Sequence, residues 1–118
     1  MPAHRTTLRH GLGGTILMAA LGAFTLALAA DPTTVKLTIK GNQFTPAEIH
    51  VPSGTPITLV IRNEDATAEE IDSPELKIEK IIAGGKEVSV TVRPLAPGTY
   101  NFSGEYHSDT AKGQIIAD

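Results

Sequence analysis

The residues of this 118-residue chain best suited to chemistry are one late histidine and an unusually dense group of carboxylates. His107 lies in the polar stretch between Gly104 and Gly113, two positions after Glu105. A second stretch, Glu64 to Glu75, packs six acids into twelve residues: Glu64, Asp65, Glu69, Glu70, Asp72 and Glu75. One imidazole with several carboxylates forms a hard to borderline donor shell, suited to Fe(III), Fe(II), Cu(II), Mn(II) or Zn(II) and poor for Cu(I). Anionic oxygens stabilise the higher charge of a metal more strongly than the lower, so such a shell makes bound Fe(II) easier to oxidise. The candidate metal ligands are therefore His107, Glu69, Glu70, Glu105 and Asp72.

Extended backbone divides these side chains between two faces. Glu69 and Ile71 share one side, and Glu70 and Asp72 the other, so the three carboxylates should not converge on one ion. If Ile71 is a core residue, Glu69 points inward and Glu70 with Asp72 forms a more exposed second site. Both arrangements remain open at this level, as does the plain alternative of a solvated acidic loop. Glu105 and His107 have the same parity and converge if their segment stays extended. His50 shares a face with Glu48 and is expected to face solvent. Tyr100, Phe102 and Tyr106 are read as packing residues. No nucleophile, base and orienting acid can be assembled from one histidine and scattered serines.

The elements that must hold these groups read as strands. Val35, Leu37 and Ile39 alternate with polar residues, as do Ile49 and Val51, then Ile57, Leu59 and Ile61, then Val88, Val90 and Val92. Leu76 to Ile82 is extended and apolar-rich, Tyr100 and Phe102 mark a late strand, and Gln114 to Ala117 closes the chain. Gly41-Asn42, Pro52-Ser53-Gly54, Gly84-Gly85 and Pro97-Gly98 punctuate them. Seven or eight short strands without a helical period predict an all-β sandwich or barrel.

The first thirty residues carry a different signal. A cationic start, an apolar run from Thr15 to Leu28 and Ala27-Leu28-Ala29 predict a signal peptide over residues 1–30, cleaved near Ala29 or Ala30, which leaves one domain over 31–118. The expected compartment is the periplasm. From residue 31 the chain holds eight Lys and Arg against thirteen Asp and Glu. That acidic balance argues against nucleic acid or an anionic membrane as partner. The sequence contains no cysteine, so thiolate chemistry and disulfide staples are excluded together.

The order of features resembles the cupredoxin-like family. The matching pieces are Phe44-Thr45-Pro46, Val51-Pro52-Ser53-Gly54, Leu59-Val60-Ile61-Arg62-Asn63, Pro94-Leu95-Ala96-Pro97-Gly98-Thr99-Tyr100 and Gly113-Gln114-Ile115-Ile116. The resemblance implies a Greek-key β-sandwich with a metal site at its loop tips. It places the family's late histidine on His107, its cysteine on Gly104, its methionine on about Ala111 and its early histidine on about Glu69. Three of four ligands are thus exchanged, and a blue-copper site, which needs the thiolate, is not available.

Glu69-Glu70-Ile71-Asp72-Ser73 and Gly104-Glu105-Tyr106-His107 are similar to a cupredoxin-like subgroup of bacterial periplasmic iron uptake. That similarity implies a protein that binds Fe(II), with Cu(II) as a candidate cofactor, assists its oxidation, and works beside an inner-membrane iron permease and other periplasmic uptake components. The rival expectations are a non-catalytic Cu(II) carrier or buffer, and a metal-free interaction module.

Overall fold

In the computed structural model the described residues are 31–118, and they form two facing β-sheets. The signal peptide read over residues 1–30 lies outside them. Nine strands follow one another: β1 (Thr33–Lys40), β2 (Gln43–Thr45), β3 (Glu48–Val51), β4 (Ile57–Asn63), β5 (Glu69–Ser73), β6 (Ile78–Ile82), β7 (Glu87–Val92), β8 (Gly98–Gly104) and β9 (Lys112–Ala117). The sheets have the orders β2-β1-β4-β7 and β3-β9-β8-β5-β6. The pairs β1 with β4 and β3 with β9 run parallel, and the rest are antiparallel. This is the all-β, Greek-key sandwich expected, with nine strands instead of seven or eight. The additional strand is β2, three residues around Phe44, too short for alternation to announce it.

Period-two patterning sets the core. Ile57, Leu59 and Ile61 of β4 face Leu37 and Ile39 of β1 on the inner side, opposite Ile71, Phe102 and Ile115 of the other sheet, and all are buried. Each such side chain contributes about 2 kcal/mol of hydrophobic stabilisation. Phe44 and Phe102 meet edge to face across the sandwich, with ring centroids 5.0 Å apart. The inner face of β8 is tight: a Cβ added at Gly113 would fall 2.3 Å from the Phe102 ring.

One polar side chain in this core fixes the entry to β5. Asn63, fully buried at the end of β4, donates to the carbonyls of Thr67 (2.8 Å) and Ile82 (3.0 Å), and its Oδ1 accepts the Asp65 N–H (3.0 Å). A buried amide satisfied at both ends ties β4, the 64–68 connection and β6 together. The connection therefore delivers Glu69 to the start of β5 with fixed parity, so that Glu69, Ile71 and Ser73 face inward and Glu70 and Asp72 face outward.

Candidate metal centre

The inward turn of Glu69 puts a carboxylate in the core. Its side chain is 1% exposed, and it is satisfied on both oxygens. Oε1 accepts the backbone N–H groups of Tyr106 (3.0 Å) and Glu70 (3.1 Å), while Oε2 lies 2.6 Å from Nδ1 of His107. Three partners converge on two oxygens, and the contact with Nδ1 is the short one of the three.

His107 reaches Glu69 because the segment after β8 does not stay extended. Glu105–His107 forms a single 3-10 turn, continued by hydrogen bonds from Thr110 and Ala111 N–H to the His107 carbonyl (3.1 and 2.8 Å). The turn separates Glu105 from His107, correcting the expectation that shared parity would bring them together. Glu105 is exposed and accepts only a long bond, 3.4 Å, from the Ser103 hydroxyl. Tyr106, expected in the packing, is 49% exposed. Its phenol is pushed above its ordinary value, first by local desolvation and then by the charge and hydrogen bonding of Glu70.

The five candidate ligands are therefore distributed unevenly. Glu69 and His107 meet. Glu70 lies on the outer face beside Tyr106, contributing its backbone N–H to Glu69. Asp72 is on that outer face too, opposite Ser103 of β8 and Glu79 of β6, at a cleft also lined by Glu75, Asn101 and Lys112. Among the described residues, no three His, Asp or Glu side chains converge closely enough to hold one metal ion. His50 faces solvent, as expected, bonded through Nε2 to Glu48 at 2.8 Å. The His50 bond, followed by that from Gln114, holds the Glu48 carboxyl below its ordinary value.

One contributor was not singled out from sequence. Asp65, in the connection before Glu69, accepts the N–H groups of Gly41 (2.8 Å) and Asn42 (2.9 Å). Those two residues make the β1–β2 turn with positive φ at both positions, which aims successive amides at one anion. Thr110 then bonds the Asn42 carbonyl at 2.7 Å, joining the turn to the His107 segment. The available signal was the glycine-asparagine turn itself, a paired-amide donor that requires an acceptor.

The amides of Asn42 and then Gly41 lower the Asp65 pKa below its ordinary value of 3.8, with the charges of His107 and Lys40 adding to them against a smaller opposing effect of burial. A carboxyl depressed on folding contributes stability that is complete above its unfolded value and disappears as pH falls through its folded one. Asp65→Ala is expected to cost about 1 kcal/mol near neutral pH. Urea midpoints measured downward from pH 5 should converge for mutant and wild type below Asp65's folded value. Parallel curves throughout would exclude the assignment.

The four positions that the family resemblance assigns to copper ligands are contiguous. A Cβ built on Gly104 would fall 2.6 Å from Ala111 Cβ and 2.7 Å from Glu69 Cδ, and Ala111 follows His107 through the bond between its N–H and the His107 carbonyl. The space where a thiol would stand is occupied by the Glu69 carboxylate. With glycine and alanine at two positions and no sulfur donor, these residues do not fit a thiolate-ligated copper centre.

A two-sheet Greek-key sandwich with its histidine in the loop before the last strand is the architecture of cupredoxin-like proteins. The sequence profile of the cupredoxin-like domain matches residues 13–117, and the chain belongs to that family. An uncharacterized protein of Rickettsia prowazekii is 43% identical over 84 residues, covering 71% of this chain and 67% of that protein. Among solved structures, auracyanin A, a "blue" copper protein of Chloroflexus aurantiacus, superposes with a TM-score of 0.60 at 19% identity over 75% of this chain and 100% of its own. The metal binding domain of the Cu(I)-exporting P-type ATPase CopA of Streptococcus pneumoniae gives 0.61 at 20% identity, over 72% and 84%. At these identities the structural matches speak for the fold.

Proposed function

We propose that this chain is a periplasmic metal-handling cupredoxin-like protein that binds Fe(II) in support of iron uptake and passes it to an inner-membrane permease. The observation that carries the reading is the buried Glu69 carboxylate held against His107, a hard oxygen at the position where the family resemblance expects a histidine and beside the one where it expects the thiol. His107 is the proposed ligand and Glu69 its partner. Glu70 is the nearest further carboxylate by sequence, while Glu105 and Asp72, turned elsewhere, are left out of the site. The cationic, apolar and Ala-rich leader supports export, and the acidic net charge suits a carrier of cations.

The test is titration of leaderless protein with Fe(II) under nitrogen, followed by admission of oxygen. The expected result is saturable binding at one site that His107→Ala abolishes. If dioxygen accepts the electron at a protein-assisted rate, Fe(III) forms faster than in the buffer blank; no excess over the blank restricts the function to binding and delivery. Cu(II) run in parallel tests the rival cargo, with a weak visible band expected from nitrogen and oxygen donors.

A metal-free interaction module has one observation in its favour, the lack of a third convergent donor among the described residues. Melting temperatures unmoved by Fe(II) and Cu(II) at saturating concentrations would select it, because a ligand that binds the folded state must raise them.

A further inference from the structure

The acidic balance of the domain is spread unevenly between its two outer faces. On the five-stranded sheet the outward positions carry Glu48, Glu70, Asp72 and Glu79 against Lys112. On the four-stranded sheet they carry Lys36, Lys40 and Arg62 against Glu87. The sandwich thus holds most of these opposite charges apart. Among the described residues no Lys or Arg forms an ion pair with a carboxylate, and the two such contacts belong to His50 and His107.

Two of the cations on the four-stranded sheet share a hollow. In the parallel register of β1 with β4, Lys36 stands opposite Val60 and Thr38 opposite Arg62, so Lys36 and Arg62 are diagonal neighbours across Thr38 and Val60. Two residues along a strand span about 6.6 Å and adjacent strands lie about 4.8 Å apart, which keeps both long side chains within reach of one small ion. The hollow has a volume of about 230 Å³ and is lined by Lys36, Leu37, Thr38, Val60, Arg62 and Glu87. That is below the size of pockets that enclose drug-sized ligands. Lys40 has Asp65 close enough for their charges to interact, whereas Lys36 and Arg62 face the hollow together. Glu87 is opposite Arg62 across β4 and β7 but forms no ion pair with it.

We infer that the hollow between Lys36, Thr38 and Arg62 is a binding site for a phosphate group, free or esterified in a lipid headgroup. The guanidinium offers a planar fork of N–H donors to two phosphate oxygens, the ammonium a mobile point charge, and Thr38 a hydroxyl donor. Donors arriving from three sides match a tetrahedral anion better than a planar carboxylate. An anion also relieves the repulsion between the two cations. Glu87 opposes it, so the site binds weakly and empties readily. Bound to a headgroup, the four-stranded sheet would lie against the bilayer with the acidic sheet turned away. The site is on the opposite sheet from Glu69 and does not depend on the metal-handling reading.

The test is a series of 1H–15N correlation spectra of the protein titrated with inorganic phosphate, with chloride keeping the ionic strength constant. Saturable shifts are expected around Thr38 and Arg62, weakened about fivefold by Lys36→Gln or Arg62→Gln and strengthened about as much by Glu87→Gln. All three side chains are exposed, so the variants keep the fold. No saturable response, shifts that chloride alone reproduces, or a Glu87→Gln protein that binds no more tightly would each overturn the site. Co-sedimentation with phosphatidylglycerol vesicles separates the sources. Vesicle binding that phosphate competes away and Arg62→Gln lowers assigns the site to a lipid headgroup; a phosphate response without vesicle binding assigns it to free phosphate. Vesicle binding indifferent to both Lys36→Gln and Arg62→Gln overturns the headgroup assignment.

Discussion

Gly104→Cys is expected to lower the stability of the domain by about 3 kcal/mol. Gly104 has φ −94° and ψ 109°, an ordinary extended conformation, so the loss owes nothing to backbone preference. It comes from collision: the added Cβ would stand 2.6 Å from Ala111 Cβ and 2.7 Å from Glu69 Cδ, both in buried residues. Close-packed interiors relieve such overlaps only by moving side chains off their rotamers or shifting strands. Because Glu69 is one of the colliding groups, truncating it should offset part of the damage. Gly104→Cys with Glu69→Ala is expected to be less destabilised than the two single changes added together, by 1 kcal/mol or more. Urea denaturation of the four proteins supplies the cycle. A Gly104→Cys variant as stable as wild type would mean that the carboxylate does not occupy the thiol's place.

Glu69→Ala should cost a similar amount, about 3 kcal/mol, for a different reason. The carboxylate serves the Tyr106 N–H, the Glu70 N–H and His107 Nδ1 together, and alanine leaves all three without their acceptor while opening a void beside Gly104. Losing the acceptor for Tyr106 also loosens the 3-10 turn that carries His107, so amide exchange across Glu105–His107 should quicken more than in the rest of β8. Glu69→Gln, which retains the size and one oxygen, should lose roughly 1 kcal/mol. If alanine and glutamine prove equally mild in thermal or urea unfolding, the carboxylate is not a structural centre of this end of the sandwich.

Much of the architecture was legible before any coordinates. The alternation in β1, β4 and β7 marks strands with one buried face because side chains on extended backbone change sides at every residue, whatever the strand's partners. The same rule, once Ile71 is granted to the core, turns Glu69 inward and Glu70 and Asp72 outward, which is how β5 lies. The reading of Glu64 to Glu75 as a solvated loop describes its first part only. The stretch begins as an exposed connection and ends as a strand, and its six acids made the strand hard to see. In β2 and the Glu105–His107 turn the local pattern is too short to carry a period, and both were missed for that reason.

From composition and local order alone, the chain was bound to be a cysteine-free, acidic β-domain with one late histidine, because these properties belong to residues taken singly or in neighbouring pairs. Only the tertiary structure could decide that Glu69 and His107, 38 positions apart, share a hydrogen bond, that Glu105 swings away, and that Nδ1 is the nitrogen engaged. Those outcomes depend on the pairing of β5 with β8 and on one tight turn after it. Pairing between distant strands is set by the packing of both sheets together, which no periodicity along a single stretch encodes.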